Sequence, residues 1–158
     1  MSSFISSPAP AASEPDASLS FWPFWPDIDV NHFRDAMRIG GTLIPDARVA
    51  DAIMRAAIGV GDDLAEWRTA REVEGYKSLE AVPSPLVGEE TRLVLLWRLA
   101  VYGYATADLR ESHGDITATG QGQSRAEDLD MSAEDHRRNA IHAIRAILGK
   151  GRTTVELI

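Results

Sequence analysis

The sequence contains no cysteine among its 158 residues. Without cysteine the chain can form neither a disulfide framework nor a thiolate zinc site, and it has no cysteine nucleophile. Long hydrophobic runs are also missing, because the longest one, residues 93–105, is interrupted by Arg98. This run falls short of the roughly 20 residues that a membrane span needs. We therefore do not expect a membrane protein.

Basic residues are outnumbered: the chain has 16 lysines and arginines against 24 aspartates and glutamates, a formal net charge of −8. This balance argues against a dedicated nucleic-acid-binding protein, although it leaves room for a local basic patch. A content of 44% hydrophobic and 25% charged residues is that of a globular protein. The length suits one domain of roughly 100–150 residues with a tail.

Motifs of catalysis and cofactor binding are missing too. The sequence has no GxSxG, HExxH or Gly-Lys-Ser/Thr motif, and the glycine-rich segment 120–124 lacks the preceding strand of a phosphate-binding loop. His136 and His142 are six residues apart on a predicted helix, a rotation of about 600°, so they point in different directions and cannot share a metal. The sequence thus predicts no catalytic residue, no metal site and no cofactor.

The N-terminal segment 1–20 contains seven serines, four alanines and three prolines. It has too few large apolar side chains to offset the entropy of ordering, so we expect it to be disordered when the chain is alone. It is either a dispensable tail or a segment that orders on a partner.

A cluster of aromatic residues follows directly. Its four rings are Phe21, Trp22, Phe24 and Trp25, interleaved with two prolines. The prolines favour an extended path that cannot bury these rings within itself. The rings must therefore cover the chain's own helices or anchor in a neighbouring subunit, and large aromatics are common interface anchors.

Residues 21–150 are predicted to form a helical domain. A first helix capped by Asp29 or Asn31 runs to about residue 39 and ends at Gly40-Gly41. An apolar stripe over residues 45–74 predicts a long amphipathic helix, and Gly59 and Gly61 inside it leave one helix or two open. Residues 75–88 are predicted to form a loop.

The second half of this domain holds two further predicted helices. The helix over residues 89–111 has two apolar stripes, so we expect it to lie at the centre, between other helices. After a predicted loop over residues 113–124, a last helix begins at Ser124 or Ser132 and runs to Leu148, where Gly149 favours a left-handed cap. Its predicted core face consists of Ile141, Ile144, Ile147 and Leu148.

These elements predict an all-α fold, a small bundle of three to four helices with an extended N-terminal arm and a strand-like C-terminal tail. The tail, residues 151–158, is rich in β-branched residues, and polar and apolar side chains alternate over residues 154–157. Because the helical chain offers it no partner strand, we expect Val155, Leu157 and Ile158 to dock as an added strand or in a groove.

Charge is distributed unevenly along the chain. Residues 136–152 carry five basic residues and no acidic one, whereas residues 61–90 carry eight acidic against three basic residues. The two regions neutralise each other inside one subunit or meet across a head-to-tail contact, which closes into a ring when the rotation allows. The arginines proposed for such a contact are Arg137, Arg138, Arg145 and Arg152.

Five groups of residues follow one another along the chain. They are Phe24-Trp-Pro-Asp-Ile-Asp29 with Met37-Arg38; Glu66-Trp67-Arg68; Gly75-Tyr76 with Leu79 and Val82-Pro83; Ala105-Thr-Ala107 with Leu109; and the ending from Ile147 to Ile158. In this order, and over roughly residues 21–158, the chain resembles the head completion/stabilisation proteins of temperate contractile-tailed phages, the gpL family.

The resemblance implies a structural virion protein, not an enzyme. It implies a helical adaptor of the phage neck that binds beneath the portal protein after DNA packaging, as a homo-oligomeric, dodecameric ring. Such an adaptor would complete the head, retain the DNA, with passing contact to the genome, and present a surface to the next neck or tail-terminator protein. It would reside in the virion, and in the host cytoplasm during assembly.

Two alternatives from other classes stay open at this point. One is a small helical DNA-binding or regulatory protein that uses the basic helix over residues 137–152. The other is a small hydrolase that uses His113 and Asp115, which lie two residues apart in a predicted loop.

Overall fold

The computed structural model describes residues 17–39, 44–117 and 131–151, and the side chains of residues 113–117 are outside the description. The described chain is mainly helical. Its helices are α1 (Val30–Ala36), α2 (Asp46–Asp63), α3 (Ala65–Val73), α4 (Arg92–Thr117) and α5 (Ala133–Ile147), with a 3₁₀ turn at Leu79–Ala81. Two antiparallel pairs of short strands complete it: β1 (Ser18–Leu19) with β2 (Ile28–Asp29), and β3 (Leu86–Val87) with β4 (Glu90–Thr91). The mainly helical prediction is confirmed, whereas five helices exceed the three to four expected.

Helix α4 lies between α2 and α5, and these two contacts form most of the packing between elements. Trp97, Ala100, Val101 and Ala105 of α4 are fully buried in the core. This is the central position that the two apolar stripes of the segment predict, because a helix with two apolar faces needs a neighbour on each.

Helix α1 begins where the sequence predicts and ends earlier. The Asp29 carboxylate accepts the N–H of His32 at 2.9 Å, which is an N-cap. The helix stops at Ala36, before the predicted residue 39, because Arg38 adopts a left-handed conformation with φ 55° that a helix cannot continue through. The predicted stop signal Gly40-Gly41 lies outside the described residues.

The long segment over residues 45–74 forms two helices, and the break is not at the glycines. Helix α2 runs through Gly59 and Gly61, and the chain bends at Leu64, whose side chain is fully buried. A Cβ on Gly61 would lie 3.6 Å from the Trp22 ring and 3.7 Å from Trp25 Nε1. Gly61 therefore lets the aromatic segment pack closely on α2. The break at Leu64 brings the number of helices among the described residues to five.

Residues 75–91 contain more structure than the predicted loop. The β3–β4 hairpin holds Glu90, so α4 begins at Arg92 and not at residue 89, and the Thr91 hydroxyl accepts the N–H of Val94 at 3.3 Å. At its other end α4 continues to Thr117, so residues 113–117 are helical where a loop was predicted. Gly114 suggested that loop, but one glycine costs a helix only about 1 kcal/mol.

Helix α5 begins at the second of the two predicted caps. The Ser132 hydroxyl accepts the N–H of Asp135 at 3.1 Å, and the Asp135 carboxylate accepts the N–H of Ser132. At the other end Gly149 is left-handed, with φ 69°, as predicted. Ser124, the alternative start, lies outside the described residues.

The packing of α5 on α4 is unusually close at Gly103. A Cβ built there would lie 2.7 Å from the carbonyl oxygen of His136 and 3.0 Å from the Ala140 Cβ. Small residues therefore face α4 at this point, and Ile141, predicted to face the core, is 46% exposed. Ile144 and Ile147 are buried as predicted, and Leu148 is partly buried against the core.

The N-terminal arm is ordered further back than the predicted boundary at residue 20. Ser18 and Leu19 pair with Asp29 and Ile28, and the carbonyl of Ala17 accepts the N–H of Val30 at 2.9 Å. These hydrogen bonds hold the arm against the start of α1. Residues 1–16 lie outside the described residues.

Candidate interaction surfaces

The aromatic cluster divides into an inner and an outer half. Phe24 and Trp25 are only 2% and 3% exposed and belong to the chain's own core. Trp25 stacks on Trp97 with ring centroids 4.3 Å apart and planes within 5°. Phe24 meets the Trp25 ring edge-on, and its carbonyl accepts the N–H of Leu79 at 2.8 Å. The expectation that these two rings anchor in another subunit is thus corrected, because the fold already covers them.

The outer half remains accessible. Trp22 is 51% exposed, and the Arg68 guanidinium lies 5.3 Å from its ring centroid. Phe21 is partly buried and meets the Trp97 ring edge-on at 6.4 Å. Of the four rings, Trp22 therefore offers the largest free surface to a partner.

Other exposed apolar side chains lie on several faces of this small chain. Met54 and Ile58 lie one turn apart on α2, and Leu86 and Val87 form one strand of the β3–β4 hairpin. Single exposed apolar residues are ordinary on a protein surface, so these pairs are candidate contact sites only together with their neighbours.

The arginines of the basic stretch have partners close by. Arg137 forms an ion pair with Glu111 of α4, and Arg138 pairs with Asp135 on its own helix. Hydrogen bonding to Arg137 lowers the pKa of the Glu111 carboxyl below its usual value. Neither partner belongs to the acidic segment 61–90, so Arg137 and Arg138 are balanced by other carboxylates of the subunit.

Two carboxylates of the acidic segment also have arginine partners close by. On α3, Arg68 lies 3.7 Å from Glu72, and Arg71 lies 2.8 Å from Glu74 just past the end of the helix. Because such exposed pairs are worth little and are screened by salt, they leave these side chains free to exchange partners on assembly.

A groove runs along the junction of α4 and α5, and sequence reasoning did not find it. Its first section, of about 670 Å³, ends against Gly149, Lys150 and Gly151. Its second section, of about 610 Å³, reaches α1 and Met131. Leu99 and Asn139 line both sections, and Leu99 is 59% exposed. The signal in the sequence was Leu99 itself, which belongs to an apolar stripe of α4 that α2 and α5 leave partly uncovered.

A polar network closes one wall of the second section. The Tyr102 hydroxyl lies 2.7 Å from His32 Nδ1, which joins α4 to α1. Four residues earlier on α4, the Arg98 guanidinium donates two hydrogen bonds to the Glu90 carboxylate of the hairpin, one of them at 2.8 Å. These bonds lower the pKa of the Glu90 carboxyl, while burial raises the pKa of Tyr102 to about 12.

The raised pKa of Tyr102 predicts a loss of stability in alkaline solution. Between pH 10, its ordinary value, and about 12 the phenol is ionised in the unfolded chain and neutral in the folded one. Unfolding therefore becomes more favourable as the pH rises through this window, by about 1–2 kcal/mol. Urea unfolding at pH 9 to 12 should show this decline. Tyr102→Phe should reduce it and leave the smaller contribution of Tyr104, whose pKa burial also raises.

The same substitution at the partly buried Tyr76 is the control. If Tyr102→Phe and the parent chain lose stability in parallel over this range, the buried phenol does not control the alkaline transition.

Several predicted site residues lie outside the described part of the chain. They are Arg152, Val155, Leu157 and Ile158, together with the side chains of His113 and Asp115. Within the described residues, no group of three or more histidine, aspartate and glutamate side chains is arranged to hold a metal ion. Nor does any described helix combine the length and apolar character needed to cross a membrane.

The described residues thus present exposed apolar pairs, arginines paired with nearby carboxylates, and an open groove. A model of the phage head completion protein (GPL) family matches residues 20–158, and the chain belongs to this family. Its function is structural, in completion of the phage head during virus assembly.

Two relatives carry matching descriptions. The head completion/stabilization protein of Escherichia phage P2 is 32% identical over 151 residues, which cover 96% of this chain and 88% of that protein. The probable head completion/stabilization protein of Haemophilus phage HP1 is 31% identical over 138 residues, which cover 85% of this chain and 88% of that protein. No solved structure matches the chain.

Proposed function

We propose that this chain is a non-enzymatic adaptor of the phage neck. It binds beneath the portal protein after DNA packaging, forms a homo-oligomeric, dodecameric ring, and presents a surface to the next neck or tail-terminator protein. It is made in the host cytoplasm and remains in the virion. The observation that carries this proposal is family membership over residues 20–158.

The distribution of exposed apolar side chains supports a ring. Trp22 lies beside α2 and α3, whereas Leu99 lies on the far side of the central helix, on the groove beside α5. Different apolar surfaces on separate faces of a subunit suit head-to-tail contacts between copies. Such contacts close into a ring when the rotation between subunits allows. Simultaneous contacts to two neighbours and to the portal then raise avidity even if each contact is weak.

The C-terminal tail is the proposed contact with the portal or a neighbouring subunit in the assembled neck. Val155, Leu157 and Ile158 supply apolar side chains in a segment of high strand propensity, which suits strand addition or insertion into a groove. Contact with genomic DNA stays a prediction. Arg137 and Arg138 offer it little net charge, since each is paired with a carboxylate.

The tail can be tested in a phage that lacks this gene and is complemented from a plasmid. We expect Val155→Asp with Leu157→Asp to yield DNA-filled heads without tails and at least about a tenfold loss of infectious particles, since two apolar contacts are replaced by charges. Electron microscopy and plaque counts measure both effects.

A matched variant, Thr153→Asp with Thr154→Asp, adds the same charge and keeps the apolar side chains. It should assemble close to normally. Equal titres for the two double variants would remove the tail from the proposed interface. The circular dichroism of the purified variants should match that of the parent chain, since the described helical domain ends before residue 152.

A further inference from the structure

The first section of the α4–α5 groove has no occupant in the described chain, and a segment of the same chain begins at its mouth. Gly149, Lys150 and Gly151 line this end of the groove, and Gly151 is the last described residue. We propose that residues 152–158 of the same copy lie in this groove in the unassembled subunit. This inference concerns the free chain and does not depend on the proposed neck function.

The geometry at the end of α5 directs the chain toward the groove. The left-handed Gly149 ends the helix, and the N–H of Lys150 returns to the carbonyl of Arg145 at 2.8 Å. The Arg145 guanidinium then donates to the carbonyl of Gly151 at 3.0 Å. Both of these residues line the groove. Gly151 therefore lies on the groove side of α5, so the segment that follows it needs no linker to enter the groove.

The length of the segment suits the groove. Asn139 lines the groove ten residues before Gly149, which is about 15 Å along the α5 axis at 1.5 Å per residue. Seven extended residues span at most about 25 Å. The segment can thus follow α5 back beyond Asn139 and cover the exposed Leu99.

The chemistry of the two surfaces is complementary. Leu96, Leu99, Ala143 and Ala146 give the groove an apolar floor for the apolar side chains of the segment. Arg92, Arg145 and Lys150 stand along its walls, and among the described residues no aspartate or glutamate lines this section. Glu156 gives the segment a carboxylate, which these basic side chains would attract.

The natural absence of cysteine allows a clean test by disulfide trapping in the full chain. Leu157→Cys is combined with Asn139→Cys in the groove, or with Ile141→Cys as control. Positions 139 and 141 are both exposed and only two residues apart on α5, but about 200° apart around its axis. A segment in the groove reaches the first position, while an undocked one reaches both equally.

We expect the Asn139→Cys pair to oxidise at least about tenfold faster than the Ile141→Cys pair, giving a monomeric product at a rate independent of protein concentration. Adding Leu99→Asp, an exposed site where the fold tolerates change, should cancel most of the difference. Equal rates for the two pairs would overturn the proposal. Disulfide-linked dimers would overturn it as well, because they would assign the groove to the segment of a second copy.

Discussion

Trp25→Ala lowers the free energy of unfolding of the isolated chain by about 3–5 kcal/mol, whereas Trp22→Ala lowers it by about 1–2 kcal/mol. Trp25 is 3% exposed and stacks on Trp97, so its removal leaves a cavity beside the central helix. Trp22 is 51% exposed, so its removal gives up only about half of the ring's burial and leaves no enclosed cavity. Urea unfolding followed by circular dichroism measures both changes.

The two tryptophans also separate folding from assembly. Under the proposed function, Trp22→Ala keeps the fold and weakens association with neighbouring copies or the portal, because it removes an exposed anchor. Phage complementation with this variant reads out assembly, and the unfolding curve reads out the fold. If Trp22→Ala destabilises the isolated chain as much as Trp25→Ala, both rings belong to the core and neither is an interface residue.

Gly103→Ala lowers the free energy of unfolding by about 2–3 kcal/mol, although alanine is the better helix former. The added methyl group would lie 2.7 Å from the carbonyl oxygen of His136. A backbone oxygen of α5 cannot turn aside as a flexible side chain can, so α4 and α5 must move apart. Urea unfolding measures the loss, and faster amide hydrogen exchange along α5 should accompany it.

Gly59→Ala is the matched control for this effect. Gly59 also lies inside a helix, but a Cβ there meets nothing within 4 Å. The substitution should therefore stabilise the chain by up to about 1 kcal/mol through helix propensity alone. Opposite signs for the two glycines would establish that contact between α4 and α5, and not helix propensity, decides the result. A stabilising effect of Gly103→Ala would contradict the close packing of these helices.

Local signals in the sequence predicted the ends of several helices. The caps act through hydrogen bonds or backbone angles within a few residues, so the sequence identifies Gly149 and reduces each N-cap to two candidates. The structure selects Asp29 and Ser132 from them. The end of α1 was missed because Arg38, which is not a glycine, takes the left-handed conformation. A residue of this type carries no signal for such a turn.

Features that depend on contacts between distant residues could not be predicted in the same way. The proline-containing aromatic segment has no helical or strand period, so nothing in it distinguished the buried Trp25 from the exposed Trp22. The groove beside Leu99 depends on how closely α5 approaches α4, which Gly103 permits. The apolar stripe of α4 predicted that a neighbour was needed there, but not that the neighbour would leave Leu99 uncovered.

The stacking of Trp25 on Trp97 has a consequence for synthesis of the chain on the ribosome. The partners are 97 − 25 = 72 residues apart in sequence, so the aromatic segment emerges long before its binding surface exists. Until α4 leaves the exit tunnel, the nascent chain exposes large aromatic rings to solvent, and exposed apolar surface of this kind favours premature association. The aromatic segment can therefore reach its folded position only after α4 has been synthesised and Trp97 is available to pack on Trp25.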